Sequence, residues 1–235
     1  MTVEGVNLDP GEVGKFDALA THWWDPSGDL KTLHDINPVR SQYVDERAGL
    51  AGKQVIDVGC GGGILAEEMA RRGAQVTGID ASESAITVAG LQQLRTGSRV
   101  SYVHALPETY AASHAGRFDA VTCMELLEHV PSPAALVASC ARLVRPGGRL
   151  FFSTLHRTPL SYLAAVIAGE YVLGLLPRGT HRYERFIRPA ELAAWLRAVD
   201  VHLIEVTGMS YNPLTRRAAL SKRVAVNYLV HAVCD

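Results

Sequence analysis

The chain has 235 residues, of which 48% are hydrophobic and 20% are charged, and its formal net charge at pH 7 is −1. This length suits a single α/β domain with one sizeable core, and the near-zero net charge gives no general attraction to nucleic acid, so no nucleic-acid partner is expected. The four cysteines show no metal-ligand or disulfide spacing, and no secretory leader or bilayer-spanning run is recognisable, so the sequence predicts a cytoplasmic protein with reduced thiols.

The predicted helices and strands alternate along the chain. Two helices come first, over residues 12–24 and about 39–49, the second of them after Asn37-Pro38. Strands are then predicted at about 54–58, 75–80, 100–104, 118–123 and 149–154, helices at 64–72, 83–95 and 132–144, a further helix from Pro189, and two late strands at 201–207 and 224–233. This alternation indicates a doubly wound, mostly parallel α/β sheet of seven strands.

A glycine-rich turn follows the first predicted strand. Residues 55–58 favour a strand, and four glycines then fall within positions 59–63. Glycine has no Cβ, so the backbone N–H groups at Gly59 and Gly61 can approach a ligand closely. Asp80 ends the second predicted strand, where an acid of a βαβ unit can accept both hydroxyls of a ribose. Together these features predict a pocket for a cofactor that contains a nucleoside.

The spacing of this turn favours S-adenosylmethionine over a dinucleotide. Dinucleotide sites have the pattern G-x-G-x-x-G, whereas Gly59, Gly61 and Gly63 stand at alternate positions here. Asp57 precedes the first glycine by two residues, and a buried carboxylate suits a ligand with an ammonium group better than a pyrophosphate. S-adenosylmethionine has an ammonium and a sulfonium and no phosphate. A nucleotide-dependent oxidoreductase and a non-catalytic cofactor-binding protein are the alternatives of other classes.

Blocks of sequence along most of the chain resemble a known family. They include Trp23-Trp24-Asp25 and Glu125-Leu126-Leu127-Glu128-His129, and they lie at 16–25, 33–40, 57–66, 122–131, 152–155, 177–181, 186–192, 211–213 and 226–228. With these blocks the chain resembles the class I S-adenosylmethionine-dependent methyltransferases and, more narrowly, the ubiquinone-biosynthesis O-methyltransferases. The resemblance implies a Rossmann-like fold with an N-terminal helical lid. It also implies methylation of a phenolic hydroxyl on a polyprenylated phenol or catechol, with another small phenolic or lipid substrate as the alternative.

The resemblance further implies cofactor contacts and a division of the single domain. Arg40 and Met124 match positions that contact the cofactor in the family, and Arg40 could pair with the cofactor's carboxylate. Trp23 and Trp24 would exclude water from the methyl donor, unless they pack in the core or against another subunit. The parts expected within 1–235 are a helical lid over 1–50, a cofactor-binding core over 51–158, an apolar and basic insertion over 159–188, and a sheet-closing C-terminal part over 189–235.

Glu125, Glu128 and His129 follow the fourth predicted strand and are the candidates for the chemistry. A phenol with a pKa of about 10 is a poor nucleophile at neutral pH, so its methylation needs a base or a metal. One interpretation makes His129 the general base, with Glu128 orienting it. The other makes all three residues ligands of Mg²⁺, because the matching residues are magnesium ligands in the eukaryotic relatives. A third interpretation gives these residues no catalytic role, with both glutamates as ordinary surface acids and the histidine as the cap of a loop.

The insertion over 159–188 combines apolar and basic residues. Its first part, 159–177, has a single acid as its only charge, and four arginines follow between 178 and 188. An apolar helix beside a basic cluster predicts association with an anionic membrane surface, where a substrate with a long isoprenoid tail is captured. The expected location is therefore cytoplasmic, on the inner face of the membrane, with membership of a ubiquinone-biosynthesis complex as a further expectation. A buried helix or a dimer contact is the alternative.

Overall fold

An eight-stranded mixed sheet organises the residues that the computed structural model describes, 6–163 and 182–235. The strands are β1 (Gln54–Val58), β2 (Gln75–Asp80), β3 (Ser101–His104), β4 (Phe118–Met124), β5 (Val144–Leu155), β6 (Val201–Asn212), β7 (Arg217–Ser221) and β8 (Asn227–Cys234). Their order across the sheet is β3-β2-β1-β4-β5-β8-β6-β7. The strands from β3 to β5 are parallel, whereas β8, β6 and β7 are antiparallel to their neighbours. The predicted doubly wound, mostly parallel Rossmann-like sheet is confirmed.

The strand order reverses between β1 and β4. The chain passes from β1 outward through β2 to β3, and then returns to β4 on the other side of β1 and continues to β5. Such a reversal leaves a crevice at the carboxyl ends of the two central strands, where ligands bind in open α/β sheets. Asp57 of β1 is paired with Gly78 of β2 on one side and with Thr122 of β4 on the other. The predicted site residues at these strand ends therefore share one edge of the sheet.

The described part of the chain has eight helices. They are α1 (Pro10–Leu19), α2 (Lys31–Ala48), α3 (Ile64–Arg71), α4 (Glu83–Thr96), α5 (Pro107–Ser113), α6 (Pro133–Leu143), α7 (Pro159–Ser161) and α8 (Pro189–Arg197), with single 3₁₀ turns at Ala20–His22, Leu127–His129 and Tyr183–Arg185. Four of these helices, α1, α4, α6 and α7, begin after a residue whose side chain accepts a hydrogen bond from the first turn. The side chain of Asp9 accepts from the N–H of Gly11, and that of Ser82 accepts from the N–H of Ala85. These caps satisfy N–H groups that have no partner within the helix.

Alternate strand residues contribute to two apolar layers, one on each face of the sheet. Val55 and Phe151 pack in the layer beside α2 and α3, whereas Ile56 and Phe152 pack in the layer beside α6 and α8. All four side chains are fully buried. A parallel sheet covered on both faces needs nearly continuous apolar strands, which explains why the strands β1 and β5 were recognisable in the sequence.

The C-terminal part has one strand more than the seven predicted. Strand β7 forms an antiparallel hairpin with β6, which itself extends to Asn212 instead of ending near 207. Three of the five residues of β7 are exposed, and its sequence has no alternation of apolar and polar residues. An edge strand of this kind has little signal in the sequence because it buries little surface.

Two helices also differ from the prediction. Helix α5 was not predicted, although Pro107 at its first turn and Glu108 beside it are typical of a helix start. Helix α2 begins at Lys31 and continues through Pro38, which was expected to precede it. Proline removes one backbone hydrogen bond. The side chains of Ile36 before the proline and Tyr43 after it are both buried, however, and their burial favours a continuous helix.

The insertion lies largely outside the described residues, since 164–181 are not among them. At its start, Leu160 of α7 and Leu163, two residues after that helix, are exposed by 53% and 56%. Within 6–163 and 182–235, no helix has both the length and the apolar content needed to cross a bilayer.

Candidate functional site

A cavity of about 640 Å³ lies at the carboxyl edge of the parallel strands. Eight of the nine predicted site residues line it, and these are Arg40, Asp57, Gly59, Gly61, Asp80, Met124, Glu125 and His129. Glu128, the ninth, does not line the cavity. The structure therefore brings the residues predicted for the cofactor and two of the three predicted for the chemistry into one space.

The glycine turn has a backbone conformation that other residues adopt only with strain. The φ angles of Gly59, Gly61 and Gly63 are 74°, 52° and 90°. A Cβ atom on Gly59 would lie 2.6 Å from Cδ2 of Leu126, and a Cβ atom on Gly61 would overlap the indole of Trp23. Glycine is thus required at both predicted contact positions, by backbone conformation and by the close packing of the turn.

Asp57 is a buried carboxylate beside the glycine turn. It is 3% exposed, and the hydroxyl of Thr122 donates to its Oδ1 at 2.6 Å. Burial raises the pKa of Asp57 to about 6, although the hydrogen bond from Thr122 and the charge of Arg40 act in the opposite direction. A cationic group of a ligand would stabilise the ionised form of this carboxylate.

Arg40 of α2 is a buried cation with an exposed fraction of 4%. Its guanidinium makes no hydrogen bond or ion pair within the described part of the chain, and its Nε is buried without a partner. Burial lowers the pKa of Arg40, whereas the charges of Glu125 and Asp57 raise it. Because a buried charge without hydrogen bonds is unfavourable, Arg40 is suited to bind the carboxylate of a ligand.

Asp80, at the end of β2, accepts two backbone hydrogen bonds. The N–H groups of Gly61 and Ser82 donate to its two carboxylate oxygens, both at 2.8 Å. Burial raises the pKa of Asp80, and these hydrogen bonds oppose that shift. Asp80 therefore ties the glycine turn to the start of α4 while it lines the cavity. Its contact with a ribose stays a prediction.

Met124 and Glu125 stand where β4 ends. Met124 is 7% exposed and lines the cavity. Glu125 has a φ of 54°, which is uncommon for a residue other than glycine. The hydroxyl of Ser153 donates to Oε1 of Glu125 at 2.7 Å, and Nδ2 of Asn227 donates to Oε1 and Oε2 at 3.0 and 3.1 Å. Both carboxylate oxygens therefore already have partners.

The three predicted magnesium ligands do not form a metal site in this arrangement. Among the residues described, no group of three or more histidines, cysteines or acids is arranged to hold a metal ion. Glu128 is 4% exposed, and the hydroxyl of Thr154 donates to its Oε2 at 2.8 Å. Burial raises the pKa of Glu128, and the charge of Glu125 adds to this effect. Because Mg²⁺ needs several oxygen ligands around one point, and Glu128 does not line the cavity that Glu125 and His129 share, these residues as placed do not fit it.

His129 has its carboxylate partner on α1. Its Nδ1 lies 2.8 Å from Oε2 of Glu12, and the two side chains are 8% and 9% exposed. The sequence assigned this partner role to Glu128. Neighbouring residues of the 3₁₀ turn Leu127–His129 face different directions, however, and Glu128 accepts its hydrogen bond from Thr154 instead.

Residues of the N-terminal segment line the cavity and contact residues at the edge of the sheet, and the role of this segment as a lid stays a prediction. The hydroxyl of Ser82 donates to Asp17 of α1 at 2.5 Å, and Arg185 donates to Asp9 at 2.7 Å. The indole N–H of Trp24 donates to the carbonyl oxygen of Gly62 at 2.9 Å. Trp23 is 5% exposed and lines the cavity. Both tryptophans thus contact the glycine turn, Trp23 by packing and Trp24 by its hydrogen bond.

Four residues of the site were not predicted from the sequence, and these are Glu12, Thr122, Ser153 and Asn227. Glu12 stands three residues after the helix cap Asp9, an ordinary place for an acid, so nothing local distinguishes it. Thr122, Ser153 and Asn227 lie in blocks of family resemblance, which was the only available signal. Their partners are distant in sequence and are known only from the folded chain.

Comparison with known proteins identifies close relatives. The family model described as a methyltransferase domain matches residues 34–206. The chain is 58% identical to a protein of Thiobacillus denitrificans over 224 residues, which are 95% of this chain and 97% of that protein. It is 57% identical to a protein of Aromatoleum aromaticum over 227 residues, with 97% of each chain covered. Both relatives are named ubiquinone biosynthesis O-methyltransferase.

Solved structures resemble this fold at low sequence identity. Magnesium protoporphyrin IX methyltransferase of Synechocystis PCC 6803, with bound SAH, has a TM-score of 0.70 at 21% identity and covers 94% of this chain and 95% of its own. A SAM-dependent methyltransferase of Aquifex aeolicus has a TM-score of 0.65 at 16% identity, with 97% and 100% covered. At such identities the likeness shows the fold alone.

Proposed function

The chain belongs to the family of ubiquinone biosynthesis O-methyltransferases, and we propose that it methylates a phenolic hydroxyl of a polyprenylated phenol or catechol. It is an S-adenosylmethionine-dependent O-methyltransferase with a class I Rossmann-like fold. The ring and the isoprenoid tail of the acceptor are supported by the names of the relatives, since ubiquinone is itself a polyprenylated ring. The relatives give no support to an oxidoreductase.

The observation that carries this proposal is the shared cavity. Arg40, Asp57 and Asp80 line it together with His129, so a charged nucleoside cofactor and a base can meet in one space. S-adenosylmethionine supplies a methyl group bound to a positively charged sulfur. Arg40 would bind its carboxylate, Asp57 its ammonium and Asp80 its ribose hydroxyls. Met124 would line the space for the adenine and the sulfonium.

His129 is the general base in this proposal. It accepts the proton of the phenol while the phenol oxygen attacks the methyl group, which makes the oxygen a competent nucleophile. Phe16 and Trp23 line the same cavity and exclude water from the reacting atoms. The predicted Mg²⁺ takes no part in the scheme, because Glu125, Glu128 and His129 are not arranged as a metal-binding group among the described residues. Turnover is expected to persist in the presence of a chelator.

Association with the inner face of the cytoplasmic membrane remains part of the proposal. Leu160 and Leu163, at the start of the insertion over 159–188, expose more than half of their surface, which supports contact with lipid. Membership of a ubiquinone-biosynthesis complex is also still a proposal. Flotation with vesicles of phosphatidylglycerol or cardiolipin tests the membrane contact, and failure to co-migrate at low salt would contradict it.

Binding and transfer can be measured separately. Calorimetry should detect binding of S-adenosylhomocysteine and no binding of NAD. Mass spectrometry should then detect one added methyl group on a catechol with a short isoprenoid tail. The variant Asp80→Ala should bind S-adenosylhomocysteine more weakly, because the ribose loses its acceptor. Binding of NAD in place of S-adenosylhomocysteine would overturn the proposal.

A further inference from the structure

Glu12 and His129 form a buried pair although 117 positions separate them. Oε2 of Glu12 lies 2.8 Å from Nδ1 of His129, and neither side chain is more than 9% exposed. Glu12 belongs to α1 and His129 to the 3₁₀ turn after β4, so the contact exists only when α1 is packed over the cavity. The pair connects the N-terminal segment directly to the residue proposed as the base.

The charge on Glu12 decides which nitrogen of His129 carries a proton. Oε2 of Glu12 faces the imidazole, and cations stand beside its other oxygen. The other carboxylate oxygen of Glu12 accepts from Lys15 at 2.9 Å and lies 3.6 Å from a nitrogen of Arg185. An ionised carboxylate can only accept, so Nδ1 of a neutral His129 donates and Nε2 keeps its lone pair.

The acids beside His129 in the sequence do not take this role. Glu125 and Glu128, the acids of its own segment, are bonded to other side chains. The ring of Phe16 contacts the imidazole edge-on, with centroids 5.2 Å apart and an interplanar angle of 86°. Glu12 and Phe16 stand four positions apart and therefore share one face of α1. A single helix face thus holds the imidazole through one hydrogen bond and one ring contact.

We propose that Glu12 is a positioning residue that fixes the tautomer and orientation of His129 for methyl transfer. The inference rests on the proposed role of His129 as the base. The phenol proton moves to Nε2 of His129 as the bond from the phenol oxygen to the methyl carbon forms. The bond from that carbon to sulfur breaks, which leaves a neutral thioether, and Glu12 stabilises the imidazolium through Nδ1–H. The base is therefore complete only when α1 is in place.

Glu12→Gln is the direct test. The variant is expected to lower kcat about a hundredfold, because the amide neither stabilises an imidazolium nor fixes the tautomer. Binding of S-adenosylhomocysteine and the KM for the catechol should stay close to those of the unaltered protein. Asp9→Asn is the matched control on the same helix, since asparagine still caps α1 but loses the ion pair with Arg185. Its kcat should fall much less.

A second substrate separates positioning from a loss of structure. A ring-nitrated form of the same catechol is already ionised at the assay pH and needs no base. Glu12→Gln and His129→Ala should both turn it over at nearly the unaltered rate. Equal loss of activity on both catechols would assign Glu12 a structural role and overturn the inference. If His129→Ala turned over the neutral catechol slowly and Glu12→Gln turned it over at the normal rate, the positioning role of Glu12 would also be overturned, but the role of His129 as the base would stand. A normal rate for His129→Ala on the neutral catechol would overturn both the base role of His129 and the positioning role of Glu12.

Discussion

The two halves of the cavity are encoded in different ways. The cofactor half is formed largely by residues within 57–80, which stand at the ends of neighbouring parallel strands. The acceptor half depends on contacts between distant residues, since 117 positions separate Glu12 from His129 and 102 separate Glu125 from Asn227. Binding of the cofactor and activation of the acceptor are therefore expected to fail independently.

The largest expected effect concerns the acceptor half alone. His129→Ala should lower kcat for a neutral catechol by about 10² to 10⁴, the usual contribution of a general base. Calorimetry should find that the affinity for S-adenosylhomocysteine is kept, because the imidazole is not among the groups proposed to bind it. An equal fall of affinity and turnover would show that the two halves are not separable.

The next effect concerns the cofactor half alone. Arg40→Met should weaken binding of S-adenosylmethionine by about 2 kcal/mol or more, roughly thirtyfold, because its carboxylate loses a buried cationic partner. The ligand-free protein should be no less stable, since a buried charge with no hydrogen-bond partner among the described residues is replaced by an apolar side chain of similar length. Calorimetry and thermal denaturation measure the two quantities. A large loss of stability with normal affinity would assign Arg40 to the fold.

The difference between the halves also explains what the sequence could predict. Apolar strands, the glycine turn and Asp80 are local patterns, so the sheet and the cofactor residues were recognisable. The sequence predicted Glu128, the neighbour of His129, as the carboxylate partner of the imidazole, whereas in the structure that partner is Glu12. A helix that packs across the cavity cannot be located from spacing alone. Strand β7 was not predicted either, because an exposed edge strand has hardly any pattern of apolar and polar residues in its sequence.

Gly61→Ala should impair both halves of the cavity. The added Cβ would overlap Trp23, so the N-terminal segment should shift and carry Glu12 away from His129. Both the affinity for S-adenosylhomocysteine and kcat should fall, each by about tenfold, and strain at the positive φ adds about 1 kcal/mol to the cost. Gly49→Ala is the matched control, because its φ is 63° with nothing within 4 Å of the added Cβ. It should lower stability and leave activity unchanged.

The smallest effect is a pH dependence confined to the cofactor half. Burial raises the pKa of Asp57 to about 6 in the ligand-free protein. Below that pH Asp57 is protonated and must lose its proton to bind an ammonium group, so affinity should rise with pH and level off above it. The affinity half a pH unit below the pKa of Asp57 should be about fourfold lower than the affinity at pH 7. Calorimetry in buffers of different ionisation enthalpy should detect proton release near pH 6, and Asp57→Asn should abolish it. Proton uptake on binding would show that the ammonium does not meet Asp57.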